Sequence, residues 1–241
     1  MPDTKRINLW SGPRNISTAL MYSFAQRSDT TVVDEPLYAH YLTSTDAHEY
    51  HPGADEIIAD QYNSAEEVIS KIIFGSYDTP VAFFKQMTHH LVELDWKFLE
   101  NTVNVILTRD PKDMLLSYSQ KVDQPTMRDV GYAKQLELYN HLTDIGQQPM
   151  VLDSKEILMN PQTRLTELCN YLDIPFEKSM LSWEKGARPE DGVWAKHWYH
   201  SVHNSTGFKP YQPKTEELPD HLHELWSACE EIFQKLKGRS K

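Results

Sequence analysis

Arg14, Ser17 and Thr18 stand in the run Gly12-Pro13-Arg14-Asn15-Ile16-Ser17-Thr18, directly after the apolar stretch Ile7–Ser11. A loop that ends a strand and opens a helix presents backbone N–H groups without helical partners. The positive end of the helix dipole adds to them, so such a loop attracts an anion. Arg14 contributes a cationic fork, and Ser17 and Thr18 contribute hydroxyl donors. The chemistry this predicts is binding of a phosphate or sulfate group. The Gly-Lys-Ser/Thr signature of magnesium–nucleotide loops is missing, since no Gly-Lys pair occurs in the chain.

A second anion element is expected at 103–120. Arg109 follows the apolar run Val103–Thr108, and Asp110-Pro111 supplies a helix cap with proline at the first helical position. Ser117 lies two turns into that helix, near enough to share a ligand with Arg109. A guanidinium fork with a hydroxyl suits a phosphate monoester. The plain alternative is a surface ion pair of Arg109 with Asp110 or Asp113.

Glu35, in Asp34-Glu35-Pro36-Leu37-Tyr38, is the candidate general base. A carboxylate walled by proline, leucine and tyrosine is expected to have a raised pKa, which suits proton abstraction near neutrality. Strand alternation would turn Asp34 to the opposite face. Lys85 ends the run Val81-Ala82-Phe83-Phe84 and is expected at the same rim, where it pairs with Glu35, touches the anion or is structural. His89 and His90 are alternative bases, because imidazole titrates near neutral pH.

These residues need a framework of alternating strands and helices. Strands are expected at Ile7–Ser11, Thr31–Glu35, Val81–Lys85, Val103–Thr108 and Met150–Asp153. Helices are expected at Ser17–Arg27, Ala65–Phe74, Pro111–Gln120, Tyr132–Thr143, Gln162–Leu172 and His221–Leu236. Ser64 with Glu67 has the spacing of a capping box, and Asn160-Pro161 repeats the Asp-Pro device. The alternation predicts an α/β fold with a central parallel sheet and flanking helices, ligands binding at the strand C-terminal ends. Residues 37–63 and 183–215 lack periodicity and carry many Tyr, His, Trp and Pro, so they are expected as substrate-facing loops.

The two anion elements together resemble the sulfotransferases that use 3′-phosphoadenosine 5′-phosphosulfate (PAPS). Gly12–Thr18 is similar to that family's 5′-phosphosulfate loop, with Asn15-Ile16 in place of Ser-Gly. Isoleucine resists positive φ, so a somewhat different loop path is expected. Arg109-Asp110-Pro111-Lys112-Asp113 with Ser117 resembles the family's 3′-phosphate segment. The resemblance implies a P-loop NTPase-like three-layer sandwich and PAPS as co-substrate, with no metal. Arg14, Asn15, Ile16, Ser17, Thr18, Arg109 and Ser117 would bind the nucleotide. Arg14 would stabilise developing charge, and Glu35, supported by Lys85, would deprotonate a hydroxyl or amine of a small-molecule acceptor. Gly192-Val193-Trp194-Ala195-Lys196 faintly resembles a nucleotide-covering segment, which would bring Lys196 to the 3′-phosphate. The alternatives are an inactive nucleotide-binding regulatory protein and a small-molecule kinase of the same fold.

Length and composition bound the rest. The 241 residues are expected to form one domain, 1–241, large enough for a substantial core. Mean hydropathy is −0.59, and no apolar run approaches a membrane span. The first strand follows without an apolar leader, so a cytoplasmic protein is expected. The net charge of −11 argues against nucleic acid as partner. Cys169 and Cys229 read as buried free thiols rather than a disulfide framework. His197, His200 and His203 are spaced i, i+3, i+6 without the companions of a metal motif. Tyr38, Tyr41, Trp194 and Trp198 suggest an aromatic-walled acceptor pocket. The sequence does not set the acceptor or the oligomeric state.

Overall fold

In the computed structural model, which describes residues 4–239, five apolar runs form strands: β1 (Lys5–Ser11), β2 (Thr30–Asp34), β3 (Val81–Met87), β4 (Val103–Thr108) and β5 (Met150–Asp153). All pair in parallel in the order β2-β3-β1-β4-β5. The central strand β1 has β3 on one side and β4 on the other, so the chain leaves in opposite directions around it. That switch point opens a crevice beyond the β1 C-terminus. β1 ends with Ser11 opposite Met87 and Leu107, and the anion loop emerges there.

Period-two alternation divides the core into two layers. Ile7, Leu9, Phe83, Val105 and Leu107 face the helices Ser17–Phe24 and Pro161–Tyr171, meeting Leu20, Phe24, Leu165 and Leu168. Trp10, Ala82, Phe84, Ile106 and Val151 face the other way, onto Leu138 and Leu142 of Tyr132–Asp144 and onto Phe98 and Leu99. The result is the three-layer α/β sandwich expected from the sequence. The helix His223–Lys237 packs Cys229, Phe233 and Leu236 inward, and both cysteines are buried free thiols.

Several local expectations differ from the structure. The Ala65–Phe74 region is one turn of α-helix, Ala65–Glu67, followed by π-helix Val68–Ile73. Phe74 N–H accordingly donates to Ile69 O at 2.8 Å, five residues back. The Ser64 side chain caps nothing; instead the Thr126 N–H donates to Asp129 Oδ2 at 2.8 Å. Asp110 does cap its helix, accepting from Asp113 N at 3.0 Å, whereas the Asn160 side chain does not cap.

The two aperiodic segments also contain structure. The first holds helices Tyr38–Ser44 and Ala54–Asp60, and the second holds Ala195–Trp198 and His200–His203. They pack on each other through Tyr38, Tyr41, Leu42, Ile57, Trp194 and Tyr199. Their apolar residues serve this mutual contact rather than the sheet, and each helix is too short for a visible period. Together they roof the crevice at the strand ends.

Candidate active site

The anion loop is held from both sides. A Cβ on Gly12 would stand 2.8 Å from the Val130 carbonyl oxygen, so only glycine allows the loop this close to its neighbour. Asn15 Nδ2 donates to Leu107 O of β4 at 3.1 Å, and its Oδ1 accepts from Ile16 N at 2.9 Å. Ile16 has φ of −93°, which isoleucine adopts readily. The left-handed turn falls on Arg14 instead, with φ of +53°. Ile16 therefore fits the loop path without strain, and the left-handed conformation is borne by Arg14.

That turn brings the two anion elements together. Arg14 Nε donates to Ser117 Oγ at 3.0 Å, and Arg109 Nη1 donates to the Arg14 carbonyl oxygen. Among the described residues neither arginine has a carboxylate ion-pair partner, so the expected surface pairing of Arg109 with Asp110 or Asp113 is not formed. Burial and then the neighbouring Arg109 lower the pKa of Arg14. Two guanidinium groups held together without an acid form a cationic cluster chemically suited to an anion. Lys214 adds to it: burial, then Arg109, lowers its pKa, and Arg14 acts in the same direction. No motif marks Lys214, which lies in the aperiodic segment 183–215 and comes under the influence of the two arginines only in the folded chain.

Two cavities adjoin at this loop. One is lined by Gly12, Arg14, Ser17, Glu35, Lys85, His89 and His90, with aromatic walls from Tyr38, Tyr118 and Trp198. The other is lined by Ile16, Arg109 and Ser117, with Lys209 and Tyr211 on its far side. Arg14, Asn15, Thr18, Trp198 and Tyr199 line both.

Glu35 is buried at the end of β2 in a left-handed conformation, φ +36°. Its N–H donates to Lys85 O at 2.8 Å and its carbonyl oxygen accepts from Gln61 Nε2 at 3.1 Å. The turn breaks strand alternation, so Asp34 does not point to the opposite face. Lys85 Nζ donates to Asp34 Oδ1 at 2.9 Å, to Glu35 Oε1, and to Tyr199 Oη at 2.6 Å. Burial pushes the Glu35 carboxyl up, Lys85 opposes it, and Asp34 adds to the rise. Burial acts to lower Lys85, but Asp34 and Glu35 outweigh it and hold the ammonium charged.

His89 and His90 are buried beside this group. Burial drives His89 down to about 3 and His90 well below its ordinary value, so both are neutral and weak bases. His90 Nε2 stands 4.0 Å from Glu35 Oε2, its ring stacked between Tyr38 and Tyr41 with both centroids at 4.8 Å. Lys196 is placed elsewhere: its Nζ pairs with Glu56 Oε2 at 2.6 Å on the exposed side, and it lines neither cavity. The short helix it occupies turns its apolar side, with Ala195, inward and the lysine out. Of the three spaced histidines, His203 pairs with Asp191 at 2.9 Å and His197 lies against Gly53.

The sequence model of the sulfotransferase domain matches residues 5–240. The chain belongs to the sulfotransferase family. It is 37% identical over 242 residues to branched-chain-amino-acid aminotransferase-like protein 1 of Arabidopsis thaliana, covering 100% of this chain and 43% of that protein. The like protein 2 is 36% identical, covering 98% and 42%. The chain thus spans less than half the length of these curated relatives. Among solved structures, the sulfotransferase domain of the Synechococcus PCC 7002 olefin synthase superposes with a TM-score of 0.61 at 15% identity, covering 97% and 95% of the two chains. The sulfotransferase domain of the curacin biosynthetic pathway gives 0.58 at 16%, covering 98% and 99%. At these identities the likeness is one of fold.

Proposed function

We propose that this sulfotransferase transfers a sulfuryl group from PAPS to a hydroxyl or amine of a small-molecule acceptor. The observation that carries the reading is the junction of Arg14, Arg109 and Ser117, where two acid-free guanidinium groups stand at the wall between two cavities. A donor with phosphates at both its 3′ and 5′ positions needs two anion subsites on one side of a reacting centre. The Arg109–Ser117 compartment suits the 3′-phosphate, and the loop from Arg14 to Thr18 suits the 5′ end. The residues are chemically suited to this co-substrate.

In this reading PAPS supplies an activated sulfuryl group on a good leaving group. Glu35, with its pKa raised, takes the proton from the acceptor hydroxyl as its oxygen approaches sulfur. Arg14 and the loop N–H groups neutralise charge on the departing phosphate, acting from positions fixed by the fold. An aminotransferase-type role for Lys85 is disfavoured by its environment. A Schiff-base lysine needs an unprotonated amine, and here two carboxylates hold the ammonium.

Calorimetric titration with 3′-phosphoadenosine 5′-phosphate, without magnesium, tests the assignment. We expect saturable binding that weakens about 10- to 100-fold in Arg109→Ala, the loss of a charge-assisted bond. Preference for magnesium–ATP would support the kinase alternative. Tight bisphosphate binding without consumption of labelled PAPS across an acceptor panel would support the regulatory one.

A further inference from the structure

We propose that Asp34 and Tyr199 are positioning residues, which take up two of the three Lys85 protons and so confine that ammonium to a single oxygen of Glu35. The proposal rests on Glu35 being the base of the proposed transfer, and it gives a function to two residues that no motif singles out.

An ammonium has three donors. On Lys85 they go to Asp34 Oδ1, Glu35 Oε1 and Tyr199 Oη, all buried, so none is left to turn toward a substrate. The hydroxyl of Tyr199 is equally committed: it donates to Asp34 Oδ2 at 2.7 Å and accepts from Lys85 and from Trp194 Nε1, the latter at 3.0 Å. Asp34 Oδ2 also accepts from Gly192 N at 3.3 Å. The network therefore closes on itself at every atom except Glu35 Oε2, which is left for the cavity that Glu35 lines.

This arrangement has a chemical purpose. A lone lysine beside a lone glutamate would bridge both oxygens and suppress the carboxylate as a base. Sharing the ammonium with a second carboxylate and a phenol limits that suppression while keeping Glu35 aimed. The charged and titratable groups that face Glu35 are Asp34 on its own strand, Lys85 from β3 and His90 from the turn after it. Tyr38 of the next helix and Tyr199 of the C-terminal segment complete the set. His90 is neutral, so the balance at Glu35 is set by burial, Lys85 and Asp34, with the Tyr199 hydroxyl acting to lower the carboxyl.

The test follows the Glu35 carboxyl by carbon NMR in protein labelled at glutamate, with Glu35→Gln to assign the signal. In Asp34→Asn the Glu35 midpoint should fall by on the order of one pH unit, because a neighbouring negative charge has been removed. In Tyr199→Phe, which deletes a single oxygen, Lys85 turns further onto Glu35 while Glu35 loses the lowering influence of the Tyr199 hydroxyl, so the midpoint should move by less than in Asp34→Asn. If both variants merely melt earlier while the midpoint stays where it was, the two residues are structural and the proposal is wrong. The measurement needs no acceptor or nucleotide. Failure of wild-type protein to bind the bisphosphate would overturn the sulfotransferase donor assignment and leave this result standing.

Discussion

The decisive residues are charged groups placed where their neighbours alter what they do. Glu35→Gln should lower sulfuryl transfer by about 10²- to 10⁴-fold, the range for loss of a general base, with bisphosphate affinity unchanged; a steady-state assay paired with calorimetry checks both. The acid limb of the rate should lie above the ordinary carboxylate range. Burial raises the Glu35 carboxyl, and the group must be ionised to accept a proton. Arg14 carries the opposite kind of tension, a left-handed backbone and a like-charged neighbour. Arg14→Gly should therefore lose bisphosphate affinity by tenfold or more without lowering the melting temperature, since a strain of about 1 kcal/mol is released. A melting temperature that falls with affinity would mean the turn is not strained. Arg14 and Arg109 were legible because cationic groups stand out against an acidic chain at the ends of readable strands, and Glu35 and Ser117 because their positions relative to those strands could be counted. Tyr199 and Asp34 were not, since their roles come from a turn at Glu35 that local sequence does not announce.

At the level of elements, the site depends on how closely the anion loop approaches the turn preceding helix Tyr132–Asp144. Gly12→Ala would bring a methyl to 2.8 Å from the Val130 carbonyl oxygen, backbone that cannot simply rotate away. Overpacking of this kind costs about 1–3 kcal/mol, and we expect a lower denaturation midpoint together with weaker bisphosphate binding. Unchanged values of both would show that the loop has room to relax. The strands were readable because each is a short apolar run closed by polar residues. β4 and β5 begin and end where the sequence places them, while β3 runs on to Met87, its last two residues paired with Trp10 and Ser11 of β1. The region 65–74 reads as an ordinary helix because its apolar spacing tolerates either winding. The wider π turn from Val68 is a property of its packing. The short helices over the crevice escaped detection because they bury their aromatics against one another, which leaves no single-helix period.

Across the whole molecule, three neutral imidazoles are gathered at the cavity that Glu35 lines. Burial pushes His51 to about 4, His89 to about 3 and His90 well down. In the unfolded chain each regains a pKa near 6.5, so the unfolded state binds more protons and stability rises with pH below that value. The contribution is complete above about pH 6.5 and is lost as pH falls toward the folded values. Each histidine supplies about 1.4 kcal/mol per pH unit in that window. Urea midpoints measured from pH 7 to pH 5 should drop steeply, and the slope should lessen in His89→Gln; a flat profile would contradict the burial of these rings. Sequence alone showed eleven histidines, with His89 and His90 adjacent, but not that His51 joins them, because it comes from a separate segment brought there only by the fold. Trp198 and Tyr199 belong to both compartments at once, so the free energy of filling one is not independent of filling the other. Whatever factor the first occupant imposes on the affinity of the second, the second imposes in return. In the proposed transfer, donor and acceptor affinities would thereby be linked through a pair of shared aromatic residues.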